Sequence, residues 1–103
     1  MLLEFTEHNF GSALSSHGLA VVDFWSPWCG PCNMLTPVIK RLAENNSDVM
    51  VGKLNTSENP SLTTQYSVNA IPTILFFKDG KVVKRLLGYQ SEAQLQKCVD
   101  ELK

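Results

Sequence analysis

The chain lacks an excess of either charge: nine basic against ten acidic side chains leave a formal net charge of -1. That excludes the clustered Lys and Arg by which proteins hold nucleic acid or an anionic membrane, and neither partner is expected. Long apolar runs are missing too. The longest, Gly18 to Trp25, is broken by Asp23 and is far shorter than the ~20 residues that cross a bilayer. No basic stretch precedes an apolar one in MLLEFTEHNF, so no secretory signal is read there and a cytoplasmic protein is expected. The cysteine count is three, an odd number that argues against the fully paired frameworks of secreted mini-domains. No second C-x-x-C and no His pair stands at finger-like spacing. Cys98, His8 and His17 are scattered, so no metal site is expected. Internal repeats, low-complexity tracts and linkers are absent as well.

What is present suits one folded unit over residues 1–103. The 103 residues are 44% hydrophobic, enough to build a core without staples. Short β-rich runs alternate with segments of helical period, which predicts a mixed sheet flanked by helices in the order β-α-β-α-β-α-β-β-α. Leu2 to Phe5 reads as a strand. Thr6 or Glu7 then opens a helical segment bearing Phe10, Ala13 and Leu14, ended by Gly18. Ala20 to Trp25 is apolar on both alternating faces except at Asp23, the pattern of a central strand. From Cys32 onward Leu35, Val38, Ile39 and Leu42 form one helical face, while Asn33, Thr36, Lys40 and Glu44 form another. Pro37 lies inside this helix and is expected to kink it. Val49 to Leu54 is a further strand, and Asn59-Pro60 places a favoured cap residue before a first-turn proline. Thr73 to Phe77 and Lys81 to Leu87 flank Asp79-Gly80 as a hairpin. Ser91 and Gln94 make a capping box for a last helix carrying Leu95, Cys98, Val99 and Leu102.

The stretch WCGPC, Trp28 to Cys32, falls where the buried strand gives way to the amphipathic helix. A helix N-terminus favours negative charge, so a thiolate at Cys29 is stabilised there. Cys32 shares its helical face with Leu35 and Ile39 and should point inward. The two thiols are therefore unequal, as thiol–disulfide exchange requires: Cys29 attacks and Cys32 resolves. A structural disulfide in so short a loop constrains the unfolded chain least. Cys98, on an apolar helix face, is expected to be a small buried hydrophobe, and His8 and His17 to lie at the surface.

Asp23, a carboxylate inside a buried strand, is costly unless paired or protonated. Beneath the thiols, an acid of raised pKa could exchange protons with Cys32. The alternative is a capped or edge-exposed side chain. Lys53, also in mid-strand, is either a snorkelling surface lysine or the electrostatic neighbour of Asp23. Pro72 starts a strand, where its missing N–H is tolerated; spacing does not fix its isomer. Trp28, placed after the strand has ended, reads as an exposed docking aromatic beside the nucleophile.

Taken together, VVDFWSPWCGPC, VGKLN, NAIPTILFFKDG and the later Gly88 resemble the thioredoxins of bacterial type, in the same order over essentially the whole chain. The resemblance implies the thioredoxin fold and a cytoplasmic protein-disulfide reductase with a redox disulfide Cys29–Cys32. The lowered pKa of a C-x-x-C thiol is itself a known thioredoxin property and comes with the resemblance. By matching positions, Cys29 is the nucleophile, Cys32 the resolving thiol, Asp23 the buried acid–base group and Lys53 its partner. Pro72 matches the family's cis-proline, with the Ile71 backbone pairing to an extended substrate. Trp28, Gly30, Pro31, Ile71, Pro72 and Gly88 match the apolar contact surface. No cofactor is expected on the chain: electrons are to come from NADPH through thioredoxin reductase, a flavoprotein carrying FAD. Expected partners are that reductase and disulfide-bearing proteins such as ribonucleotide reductase, peroxiredoxins and methionine sulfoxide reductase, met by a monomer. Asn33 stands where a lysine is frequent, Ala70 where a glycine is, and Tyr89 adds an aromatic after Gly88. Two rival functions remain at this point: a protein dock using the same surface, and an oxidase or isomerase of an oxidising compartment.

Overall fold

A computed structural model describes residues 2–15 and 18–103. The elements are β1 (Leu2–Phe5), α1 (Phe10–Ser15), β2 (Leu19–Trp25), α2 (Gly30–Asn45), β3 (Met50–Asn55), α3 (Pro60–Gln65), β4 (Thr73–Lys78), β5 (Lys81–Leu87) and α4 (Glu92–Leu102). This is the order expected from the sequence. The five strands form one mixed sheet in the order β1-β3-β2-β4-β5. β3 runs parallel to both β1 and β2, whereas β4 is antiparallel to β2 and β5.

β2 lies at the centre, and its alternating side chains feed two separate cores. Leu19 and Val21 join Val51, Ile74 and Phe76 beneath α2 and α4, against Leu35, Ile39, Leu42, Leu95 and Val99. Ala20, Val22 and Phe24 face the other way, with Phe5, Phe10, Leu54, Leu62 and Phe77. By the same alternation Asp23 and Trp25 point to the α2 side. Gly52 on β3 must be glycine for packing: a Cβ there would strike the Phe5 ring and come within 2.9 Å of the Leu3 carbonyl oxygen.

Two local expectations need correction. The first helix begins at Phe10 and not at Thr6 or Glu7, because the Asn9 side chain accepts from the Thr6 N–H (2.9 Å) and donates to the Glu4 carbonyl (3.1 Å), holding a turn instead. It is described as far as Ser15, and His17 lies outside the described residues. Asn59 occupies the cap position of α3 without capping it; its side chain accepts from Glu7 N–H (2.9 Å) and donates to Asn55 O (3.0 Å), tying three segments together. α2 begins two residues before Cys32 and runs without interruption through Pro37.

The other local signals fold as their chemistry dictates. Asp79 and Gly80 carry φ of 52° and 83° in the β4–β5 turn, the conformation that Asp-Gly tolerates. Ser91 and Gln94 form the reciprocal capping box of α4. His8 is exposed, and Cys98 is buried on α4.

Candidate redox site at the end of the central strand

After β2 the chain turns through Ser26, Pro27 and Trp28. The Cys29 N–H donates to the Ser26 carbonyl (3.3 Å), leaving Cys29 extended at the N-cap of α2. Gly30 and Pro31 form the first turn, where proline's missing N–H costs nothing. The Cys32 N–H then donates to Cys29 Sγ at 3.2 Å. A side-chain sulfur thus stands where a serine or aspartate oxygen usually caps a helix. Negative charge on that sulfur is favoured by the amide and by the helix dipole.

Cys29 and Cys32 are joined as a disulfide, their Cα atoms 5.2 Å apart. Cys32 is fully buried, whereas Cys29 is half-buried at the rim. Trp28 beside it is 83% exposed, with Met34, Leu87 and Tyr89 also exposed. Gly30 and Pro31 are exposed as well. The loop before β4 completes the rim. Its Ile71–Pro72 bond is cis, and Cys29 Sγ lies 3.7 Å from the Ile71 carbonyl oxygen. Gly88, at φ 80°, donates its N–H to the Pro72 carbonyl (2.8 Å) and so holds that loop from behind. A side chain at Gly88 would be strained by this φ.

Asp23 is neither capped nor edge-exposed. It is fully buried, and neither carboxyl oxygen has a hydrogen-bond partner among the described residues. Burial pushes its pKa up to about 7, against the attraction of Lys53. Lys53 pairs with Asp23 in the β2–β3 register. Its pKa is lowered by its own desolvation, opposed by Asp23 and Glu4. Both readings of Lys53 hold in part: it is half-buried, and its ammonium sits 3.9 Å from the Trp25 ring centroid.

Two residues of this site were not singled out by the sequence pattern. Thr36, placed there on a polar face, is half-buried and accepts from Lys53 Nζ at 2.8 Å. Trp25 supplies the ring beneath that ammonium. Both signals were available: Thr36 follows Cys32 by one helical turn, and Trp25 shares the strand face of Asp23.

A redox-capable cysteine pair, here a disulfide, at the junction of the central strand and a helix, with a cis-proline loop across from it, defines a thiol–disulfide oxidoreductase. The Thioredoxin family model matches residues 1–101. A thioredoxin of Alicyclobacillus acidocaldarius subsp. acidocaldarius is 47% identical over 92 residues, 88% of either chain. A thioredoxin of Staphylococcus aureus is 40% identical over 97% of this chain and 96% of its own. Among solved structures, a mutant thioredoxin from Halobacterium salinarum NRC-1 superposes with a TM-score of 0.91 at 34% identity, covering 97% of this chain and 88% of that one. The chain belongs to the thioredoxin family.

It has the thioredoxin fold and is a protein-disulfide reductase whose redox-active pair is Cys29–Cys32. Membership implies interaction with thioredoxin reductase and with disulfide-bearing proteins, and thioredoxins carry no bound cofactor. Among the described residues no cluster of three or more His, Cys, Asp or Glu is placed to hold a metal ion. No helix among them is long and apolar enough to cross a membrane.

Proposed function

We propose that the reduced protein works through the unequal burial of its two thiols. The Cys29 thiolate attacks one sulfur of a substrate disulfide, forming a mixed disulfide and releasing the first substrate thiolate. Cys32 passes its proton to the Asp23 carboxylate, and its sulfur then attacks Cys29 Sγ. The Cys29–Cys32 bond closes and the second substrate thiolate leaves, so two electrons have moved to the substrate. The observation that carries this reading is the half-buried, amide-capped Cys29 at the rim beside a fully buried Cys32. A buried, unpaired Asp23 with its pKa near neutrality is suited to accept the Cys32 proton. Lys53 opposes the full cost of charging it.

Trp28, Gly30, Pro31, Ile71, Pro72 and Gly88 form the surface on which an extended substrate segment lies, its backbone pairing with that of Ile71. Thioredoxin reductase, using FAD and NADPH, returns the disulfide to the dithiol. The protein then acts as a monomeric cytoplasmic electron carrier, with ribonucleotide reductase, peroxiredoxins and methionine sulfoxide reductase as its substrates. The test is reduction of a model protein disulfide in the presence of NADPH and thioredoxin reductase. NADPH oxidation is expected with the native chain and none with Cys29→Ser; undiminished oxidation in the variant overturns the reading.

A further inference from the structure

Three charged side chains form a row across the sheet under α2. Lys53 on β3 pairs in register with Glu4 on β1 and with Asp23 on β2. Glu4 is exposed and Asp23 fully buried. A lysine between two carboxylates should lean toward the one that water solvates least. It does not: no hydrogen bond reaches either Asp23 oxygen. The Lys53 ammonium instead donates to Thr36 Oγ1 at 2.8 Å and lies over the Trp25 ring.

Thr36 can take this donor because of where its own proton goes. Its hydroxyl donates to the carbonyl of Cys32, one turn back, at 3.2 Å, which leaves its lone pairs to face β3. A single hydroxyl thus links the backbone of the resolving cysteine to the cation beside Asp23. On the same sheet face β4 pairs Ile74 with Asp23, and the core on that side holds Leu35 of α2 and Leu95, Cys98 and Val99 of α4, with no Lys, Arg, Asp, Glu or His among its buried members.

We propose that Thr36 is a positioning residue for the resolving half-reaction: its hydroxyl holds Lys53 off Asp23, keeping that buried carboxyl unpaired. The role rests on Asp23 acting as the proton acceptor of Cys32. Without the hydroxyl, Lys53 moves to the buried carboxylate and stabilises its charged form. Asp23 then becomes a weaker base, and its titration falls to lower pH.

The test follows the Asp23 carboxyl by NMR titration of isotope-labelled reduced protein, alongside the pH profile of single-turnover disulfide reduction. Thr36→Val keeps the branched shape without the hydroxyl, and Thr36→Ser keeps the hydroxyl. Thr36→Val is expected to lower the Asp23 midpoint by about 1 pH unit, a tenfold change in the proton equilibrium, with the acid limb of the rate profile moving alike. Thr36→Ser is expected to titrate as the native chain does. In a Lys53→Met background, Thr36→Val is expected to have no further effect, because the ammonium it positions is gone. An unmoved or raised midpoint in Thr36→Val, an equal shift in Thr36→Ser, or a shift that persists without Lys53 overturns the proposal. An Asp23→Asn variant whose rate profile matches the native one would instead remove the proton-acceptor reading, so the two failures are distinguishable.

Discussion

Cys29 Sγ and the Ile71 carbonyl oxygen lie 3.7 Å apart, although the two residues are 42 positions apart in sequence. A backbone acceptor therefore borders the sulfur that a substrate must reach, on the surface flanked by Trp28. An extended substrate segment that donates an N–H to Ile71 brings its neighbouring half-cystine to Cys29. Replacing that N–H by N-methyl in a disulfide peptide substrate removes one hydrogen bond, worth about 0.5–1.5 kcal/mol. Its KM is expected to rise several-fold in steady-state assays, with kcat little changed. An unaltered KM would contradict backbone pairing.

The pH dependence of Asp23→Asn isolates the proton transfer. With its pKa pushed up to about 7, Asp23 is a base of useful strength near neutrality. Losing it should slow single-turnover reduction about a hundredfold at pH 7, the low end of what a positioned acid–base group contributes. At high pH, where hydroxide can take the Cys32 proton without a carboxylate's help, the deficit should shrink. Equal slowing across the range would remove the role.

The same substitution should stabilise the fold, and only where Asp23 would be charged. Its folded pKa, about 7, lies above its ordinary 3.8. The folded state therefore binds a proton that the unfolded state releases, so stability is lost as pH rises from about 4 to 7 and the loss is complete above 7. A difference of about three pH units corresponds to roughly 4 kcal/mol. In denaturant unfolding with the disulfide intact, Asp23→Asn should exceed the native chain by about 2–4 kcal/mol at pH 8 and match it near pH 4. A pH-independent difference would contradict a buried, uncompensated carboxyl.

The sheet and its helices were legible because their signals are local. A run apolar on both faces from Ala20 to Trp25, save at Asp23, belongs in the middle of a sheet, and Ser91 with Gln94 satisfies the α4 terminus whatever surrounds it. The inward turn of Cys32 followed from helical period alone. Tertiary ties were not legible. Asn59 has the chemistry of a cap, yet its amide serves Glu7 and Asn55, neighbours that no local pattern reveals. Thr36 sits on the border between the two faces of α2, and period alone does not say that Lys53 lies across from it. Spacing likewise leaves the Ile71–Pro72 isomer open; the family resemblance implied the cis form found here.

Trapping the intermediate tests the division of labour between the two thiols most directly. Reduced Cys32→Ser protein, incubated with a disulfide-bonded substrate protein and acid-quenched, can be read by intact mass and peptide mapping. The Cys29 thiolate should form a mixed disulfide that nothing within the chain resolves, so the adduct accumulates with its link at Cys29 and turnover stops. A link at Cys98, no adduct at all, or undiminished turnover would contradict attack by Cys29 and resolution by Cys32.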